Sequence, residues 1–167
     1  MMRTLILLRH GKSAYPDDVS DHERPLSPRG RREAGLAGRW IRATLPPVDT
    51  VLCSTATRTR KTLAEATAEA PEDIPVDYRD ALYGATPDEL VAEIRDVGED
   101  VRTLLVVGHE PTLSATALAL ATDLTGDAAQ QIAEKFPTSA VAVLTVHGDW
   151  ADLAPGHAEL ADFHIAR

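Results

Sequence analysis

The stretch LILLRHGKS (residues 5–13) joins four consecutive apolar side chains to an arginine, a histidine and a glycine. An uninterrupted apolar run of this length is typical of a strand that is buried on both faces of a parallel sheet. A second stretch, LLVVGHEP (residues 104–111), repeats the order, with an apolar run, a glycine, a histidine and a carboxylate. Because ligands bind beyond the carboxyl ends of parallel strands, the two histidines predict one site built from both strands.

Secondary-structure patterns around these runs predict an α/β fold. Strands are predicted at residues 4–8, 48–54, 74–78 and 103–108, and helices begin at Pro28 and Pro87, directly after the N-cap residues Ser27 and Thr86. This alternation favours three layers, with a mostly parallel sheet and helices on both faces. The C-terminal part reads as a closing set of three strands, at residues 139–146, 150–154 and 158–165.

Length and composition limit the class of protein. The chain has 167 residues, 44% of them hydrophobic and 26% charged, which predicts a single globular domain over residues 1–167. A net charge of −9 argues against nucleic-acid binding, which relies on a basic surface. No apolar run approaches the ~20 residues of a membrane span, so no membrane association is predicted.

The cysteine count and the N-terminus predict a cytoplasmic protein. Cys53 is the only cysteine, so an intramolecular disulfide is excluded and a reducing compartment is favoured. The apolar run at the N-terminus is too short for the core of a signal peptide. We therefore expect the mature chain to begin where this sequence begins.

Three segments carry residues suited to binding an anion. Arg9 and His10 follow the first strand, Arg58 lies about one turn into the helix after the second strand, and His109 follows the strand at 103–108. Taken singly, each has an ordinary structural explanation: a histidine bonded within the core, or an arginine on a solvated helix face. Together, two arginines and two histidines at three strand ends predict a cationic pocket for a phosphoryl group.

Four blocks of the chain resemble the signature segments of a known family. LLRHGKS (7–13), RPLSPRG (24–30), CSTATRTRKT (53–62) and VVGHEP (106–111) are similar to those of the histidine phosphatase superfamily, which includes the phosphoglycerate mutases. The short chain and the block SDHERPLSPRG (20–30) resemble the SixA-type phosphohistidine phosphatase branch best. The resemblance spans about residues 4 to 115 and implies a phosphoglycerate mutase-like fold.

The resemblance also implies a catalytic set. His10 is the implied nucleophile, flanked by Arg9, while Arg58 and a protonated His109 complete the phosphate pocket. A neutral imidazole attacks phosphorus and forms a phosphohistidine, which water then hydrolyses. Since the cationic side chains neutralise the phosphoryl oxygens, this chemistry needs no metal and no cofactor.

Three further residues are predicted to bind substrate. Gly11 lets the backbone turn tightly and approach the ligand closely. Ser13 falls where the family often contributes a loop contact to phosphate. Glu110 belongs to the same strand-end block as His109. The implied substrate is a phosphorylated protein that carries phosphohistidine in a phosphorelay, with a small phosphate compound as the alternative.

The proton donor is where the chain departs from the family pattern. Mutases and acid phosphatases of the family place a glutamate after the third strand, where this chain has YRDALYGATPDEL (78–90). Asp80 is the nearest candidate there, and Asp21 in the long first loop is another. A leaving imidazole needs no carboxylic acid, so the sequence favours P–N over alkyl P–O bonds and predicts that neutralising either aspartate leaves phosphohistidine turnover nearly intact.

Two other kinds of site and one other class of function fit the sequence less well. CSTATR resembles a cysteine phosphatase loop, but only four residues separate Cys53 from Arg58, where such loops have five. The six histidines show no spacing typical of metal ligands. A non-catalytic phosphate-binding module would not require both His10 and His109, so their presence favours an enzyme.

Overall fold

The sheet is built around the N-terminal apolar run. The computed structural model describes residues 1–167. The strands are β1 (Met2–Arg9), β2 (Thr50–Ser54), β3 (Val76–Arg79), β4 (Thr103–Gly108), β5 (Val141–His147) and β6 (Ala158–His164). The helices are α1 (Pro28–Thr44), α2 (Thr57–Ala66), α3 (Pro87–Arg95), α4 (Thr112–Leu120) and α5 (Asp127–Glu134). None of these helices combines the length and the apolar character needed to cross a bilayer.

The six strands form one sheet in the order β3-β2-β4-β1-β5-β6. The pairs β2–β3, β2–β4 and β1–β4 are parallel, whereas β5 is antiparallel to both of its neighbours. Only β5 therefore runs against the other strands. This topology confirms the predicted α/β class with a mostly parallel sheet.

Strand β1 is buried on both sides because its apolar residues alternate between two cores. Leu5 and Leu7 face a core shared with α3, α4 and α5, while Ile6 and Leu8 face a second core shared with α1 and α2. All four side chains are inaccessible to solvent, and burial of each stabilises the fold by about 1.5–3 kcal/mol. The predicted three layers are therefore present, with helices on both faces.

The predicted helix starts at Ser27 and Thr86 are confirmed. The Ser27 hydroxyl accepts a hydrogen bond from the Gly30 amide at 3.1 Å. Thr86 and Glu89 form a reciprocal capping box, in which each side chain accepts from the other residue's backbone amide. Pro28 and Pro87 occupy the first helical positions, where a missing amide hydrogen has no cost.

The predicted strand at 150–154 is wrong. Trp150–Asp152 form a single 3₁₀ turn within the connection between β5 and β6. The Trp150 ring is fully buried, and its Nε1–H donates to the Val101 carbonyl at 2.8 Å. A buried indole requires such an acceptor, so this tertiary contact overrides the local apolar pattern.

Close packing of α1 on its neighbours depends on two glycines. A Cβ atom at Gly30 would lie 2.1 Å from the Lys12 carbonyl oxygen, and one at Gly38 would lie 2.0 Å from the Ala66 carbonyl oxygen. Both neighbours are backbone atoms, which cannot move without shifting a whole segment. Gly30 therefore lets α1 reach the loop after β1, and Gly38 lets α1 reach α2.

We predict that Gly38→Ala lowers the free energy of unfolding by at least about 1–3 kcal/mol, because the added methyl overlaps the backbone of α2. The matched control is Gly35→Ala in the same helix, where a Cβ meets no atom within 4 Å. That variant should gain up to about 1 kcal/mol from better helix propensity. Urea unfolding of both variants tests this, and equal effects would contradict the packing argument.

Candidate active site

The carboxyl ends of β1, β2 and β4 converge on one site. In the β1–β4 register Arg9 pairs with Gly108, so His10 and His109 follow on adjacent strands. Their ring centroids are 5.3 Å apart. Arg58 is the second residue of α2, close to the end of β2 at Ser54. The structure thus brings together the four residues predicted to form the phosphate pocket.

His10 has one ring nitrogen fixed and the other available. Its Nδ1 lies 2.8 Å from the Gly11 carbonyl oxygen, and a carbonyl can only accept, so Nδ1 carries the hydrogen. The lone pair is therefore on Nε2, which has no hydrogen-bond partner in the protein. Burial lowers the pKa of His10 to about 3, and the charges of Arg9 and Arg58 act in the same direction. The ring is neutral at pH 7, as a nucleophile must be.

His109 is held in the opposite tautomer. Its Nε2 lies 2.8 Å from the Ser54 hydroxyl oxygen, which also accepts from the Ala56 amide at 3.3 Å. Because His109 Nε2 is the one acceptor within hydrogen-bond distance of the buried Ser54 hydroxyl, we assign the hydroxyl hydrogen to Nε2 and the ring hydrogen of His109 to Nδ1. Burial, followed by the charge of Arg58, lowers the pKa of His109 to about 4. At pH 7 the His109 ring is therefore neutral in the protein alone, whereas the sequence led us to expect a protonated ring. The neutral ring still has its Nδ1–H as a hydrogen-bond donor.

The two arginines are each partly paired. Nη1 of Arg9 donates to the Phe136 carbonyl at 2.9 Å, and burial lowers the pKa of Arg9. Arg58 is only 7% exposed, and its Nη1 donates to the backbone oxygen of Asp21 at 2.8 Å. Its Nη2 lies 3.3 Å from the Asp21 carboxylate. Neither guanidinium has a partner for its Nε–H.

Unpaired donors are concentrated in this site. Three of the five buried side-chain polar atoms that lack a hydrogen-bond partner are Arg9 Nε, Arg58 Nε and His109 Nδ1. Native proteins leave few such atoms unpaired, since each costs about 1–3 kcal/mol. Three hydrogen-bond donors beside the free Nε2 of His10 suit an anion with several oxygens.

Gly11 and Ser13 shape the loop that follows β1. The Gly11 amide donates to the Thr62 hydroxyl at 2.8 Å, and a Cβ on Gly11 would lie 2.7 Å from the Gly30 carbonyl oxygen. Only glycine fits this approach. The Ser13 side chain is buried, and its hydroxyl accepts from Nη1 of Arg24 at 3.0 Å.

Glu110 makes a helix-capping contact. One carboxylate oxygen accepts from the Ser114 amide and the other from the Ser114 hydroxyl, each at 2.7 Å. A carboxylate offers no hydrogen to a phosphoryl oxygen. These contacts favour a role for Glu110 in positioning the start of α4, rather than the predicted contact with substrate.

Asp21 lies in the site as a counter-ion. It begins a 3₁₀ turn, Asp21–Glu23, that lies against Arg58. The Tyr83 hydroxyl donates to Oδ2 of Asp21, and Nε of Arg24 donates to Oδ1 at 3.1 Å. The Tyr83 hydrogen bond lowers the pKa of Asp21, and the charges of Arg58 and Arg24 add to the effect. Asp21 is thus ionised at neutral pH, which argues against its predicted role as a proton donor.

Asp80, the other predicted proton donor, has no hydrogen bond to any of the four pocket residues. Its Oδ1 accepts from the Thr55 hydroxyl at 2.5 Å. The Thr55 oxygen in turn accepts from Nε2 of His22 at 3.0 Å. Through Thr55 and His22, Asp80 anchors the Asp21–Glu23 turn.

Some residues of the site lie outside the sequence-based set. The Tyr83 ring packs edge-on against His109, with centroids 5.5 Å apart. The Ser139 amide donates to the carbonyls of both Arg9 and His10 at 3.1 Å. Ser139 itself has a left-handed backbone conformation, with a φ of 61°. The position of Ser54 at a strand end was visible in the sequence, although its bond to His109 was not. No sequence pattern marks Tyr83 or Ser139, because their contacts come from distant segments.

The rival cysteine and metal sites are not supported. Cys53 is fully buried, and burial raises the pKa of its thiol to about 12. A thiol that remains protonated at neutral pH is a poor nucleophile. No group of three or more histidine, cysteine, aspartate or glutamate side chains is placed to hold a metal ion.

The chain is similar to known proteins over its full length. The sequence profile of the histidine phosphatase superfamily (branch 1) matches residues 5–85. An uncharacterized protein of Mycobacterium tuberculosis is 59% identical over 162 residues, covering 96% of this chain and 100% of that protein. A structure from Nakamurella multipartitia, provisionally named phosphohistidine phosphatase SixA, is 42% identical to this chain. Its TM-score is 0.90, and the match covers 99% of this chain and 97% of that one. A protein of the same provisional name from Agrobacterium tumefaciens is 29% identical with a TM-score of 0.81, covering 97% of both chains.

We predict that neither His10 nor His109 takes up a proton between pH 8 and pH 5, because burial disfavours the charged form of both rings. Titration of the ring nitrogens by NMR measures this directly, with a histidine-containing model peptide in the same buffer as the reference. A midpoint near 6.5 for His10 would contradict the environment described for it.

Proposed function

The chain belongs to the histidine phosphatase superfamily, which confirms the family resemblance, and on this premise we propose that it removes phosphate from phosphohistidine with His10 as the nucleophile. Among its relatives, the similar structures from Nakamurella multipartitia and Agrobacterium tumefaciens carry the name phosphohistidine phosphatase. The proposed substrate is a phosphohistidine on a phosphorelay protein. We propose that residues 1–167 form a single histidine phosphatase domain.

The observation that carries the proposal is the set of unpaired donors around His10. The Nε–H groups of Arg9 and Arg58 and the Nδ1–H of His109 are buried and have no partner in the protein. We propose that the three oxygens of a phosphoryl group accept hydrogen bonds from these donors. The free Nε2 of His10 is then the atom placed to attack phosphorus.

The first chemical step is transfer of the phosphoryl group to the enzyme. His10 Nε2 attacks phosphorus in line, the bond from phosphorus to the leaving nitrogen breaks, and its electron pair stays on that nitrogen. The Gly11 carbonyl oxygen lies 2.8 Å from His10 Nδ1 and accepts its hydrogen bond. This contact stabilises the positive charge that develops on the His10 ring. The two arginines neutralise charge on the phosphoryl oxygens, so this step requires no metal.

The second step returns the enzyme to its starting state. Water attacks the phosphorus of phosphohistidine, and His10 leaves with the electron pair on Nε2. Its Nδ1–H remains bonded to Gly11 throughout, so the leaving ring is a neutral imidazole rather than an anion. The same three donors hold the phosphoryl oxygens in both steps.

The lack of a carboxylic acid favours P–N bonds as substrates. An alkoxide that leaves from a phosphate ester is strongly basic, and general-acid catalysis contributes about 10²–10⁴-fold to such reactions. Asp21 is ionised and Asp80 has no hydrogen bond to the four pocket residues, so we assign neither as a proton donor to an ester oxygen. An imidazole whose second nitrogen is protonated leaves as a neutral ring without this assistance.

We predict that His10→Ala has no measurable turnover and that Cys53→Ala keeps near wild-type activity. Rapid quenching with ³²P-labelled substrate should trap an acid-labile, base-stable phosphoenzyme on the peptide that contains His10. Label on any other residue would overturn the assignment of the nucleophile. Tight phosphate binding by the wild-type protein with no turnover would instead indicate a phosphate-binding module.

We also predict that kcat/KM for a histidine-phosphorylated protein and for phosphoramidate exceeds that for 3-phosphoglycerate by at least about 10²-fold, since the alkyl ester requires a general acid. A series of aryl phosphates should give a steep dependence of rate on leaving-group pKa, with p-nitrophenyl phosphate accepted. A flat dependence together with rapid alkyl-ester hydrolysis would identify a small-molecule phosphomonoesterase with a proton donor.

A further inference from the structure

Asp21 is an ionised carboxylate that forms a salt bridge with Arg58, one of the four pocket residues. It contacts Arg58 through both its backbone oxygen and its Oδ2 atom, at 2.8 and 3.3 Å. Its side chain is 57% exposed, whereas that of Arg58 is 8% exposed. Asp21 therefore lies on the solvent side of Arg58, above the buried part of the pocket.

The side chain of Asp21 is held on three sides and retains capacity for a ligand. Arg24 donates to Oδ1, while Arg58 and Tyr83 donate to Oδ2. Two carboxylate oxygens offer about four acceptor positions, so these three contacts leave about one. Because Asp21 is more than half exposed, that position is accessible to a molecule entering from solvent.

In-line transfer fixes where a substrate's leaving group lies. The leaving atom is opposite His10 Nε2 across the phosphorus atom. His10 is 7% exposed at the base of the pocket, so the leaving group lies toward solvent. The carboxylate on that side of Arg58 is Asp21.

We propose that Asp21 recognises the protonated imidazole of the substrate and thereby selects phosphohistidine, an inference that rests on the proposed function. One ring nitrogen of phosphohistidine carries the phosphoryl group, and the other takes a proton. Asp21 accepts a hydrogen bond from that second N–H and stabilises the positively charged ring. When the P–N bond breaks, its electron pair returns to the first nitrogen, the proton stays on the second, and neutral imidazole leaves.

This role accounts for a pocket without a carboxylic acid. The substrate brings its own proton, and an ionised carboxylate favours the form of the substrate that carries it. The same negative charge disfavours phosphate esters whose leaving groups are anionic or carry carboxylates. The sequence predicted that Asp21→Asn would leave phosphohistidine turnover nearly intact, whereas the proposed role predicts a loss on that substrate.

The test compares two substrates across two variants of the full chain. kcat/KM is measured for a histidine-phosphorylated peptide and for p-nitrophenyl phosphate, whose leaving group has no ring proton. Asp21→Asn keeps the shape of the side chain and removes its charge. Asp17→Asn, an exposed position of the same loop, removes an equal charge and serves as the matched control. Urea unfolding of each variant verifies the fold.

For Asp21→Asn we expect the ratio of the two kcat/KM values, phosphohistidine over p-nitrophenyl phosphate, to fall by on the order of 10-fold or more. Asp17→Asn should keep the wild-type ratio. An unchanged ratio would overturn the inference while leaving the proposed function intact. If both kcat/KM values fall by the same factor, Asp21 acts only as a support for Arg58; if neither falls, it has no role in turnover. If the wild-type protein fails to hydrolyse the phosphohistidine peptide, the proposed function itself is wrong and the inference falls with it.

Discussion

The parallel pairing of β1 with β4 is the constraint on which the site depends. The register that sets Arg9 against Gly108 also places His10 and His109 side by side, with ring centroids 5.3 Å apart. A shift of one residue would turn the apolar side chains of β1 to the wrong core and separate the two rings. The two hydrophobic cores therefore fix the geometry of the polar groups at the strand ends. The packing of β1 between the two cores thus both stabilises the fold and positions the residues of the site.

Burial gives these polar groups their chemical character. His10 and His109 are kept neutral because a charged imidazole is disfavoured away from water, beside two guanidinium groups. The backbone carbonyl of Gly11 and the hydroxyl of Ser54 then select the tautomer of each ring. The result is one ring with a free lone pair and another with a free N–H. A protein with a net charge of −9 thus concentrates hydrogen-bond donors and positive charge at one point.

The carboxylates around the site accept hydrogen bonds from its donors. Asp21 neutralises part of the charge of Arg58, Asp80 anchors the turn that carries Asp21, and Glu110 caps α4. Each one is engaged as a hydrogen-bond acceptor. A pocket of this composition is suited to a substrate whose leaving group carries its own proton. The proposed preference for phosphohistidine rests on the hydrogen bonds that these carboxylates accept.

The sequence by itself determined the α/β class, the helix starts at Ser27 and Thr86, and the set of four pocket residues at the strand ends. These features are local, since apolar periodicity, capping residues and strand-end position are all written in neighbouring residues. Only the tertiary structure decided the tautomers and protonation of the histidines, the contacts of Asp21 with Arg58 and Tyr83, and the 3₁₀ turn at Trp150. Those features depend on burial and on partners from distant segments, such as Tyr83, 62 residues from Asp21. No local pattern encodes such a contact, because it exists only when the sheet has brought both segments to one edge.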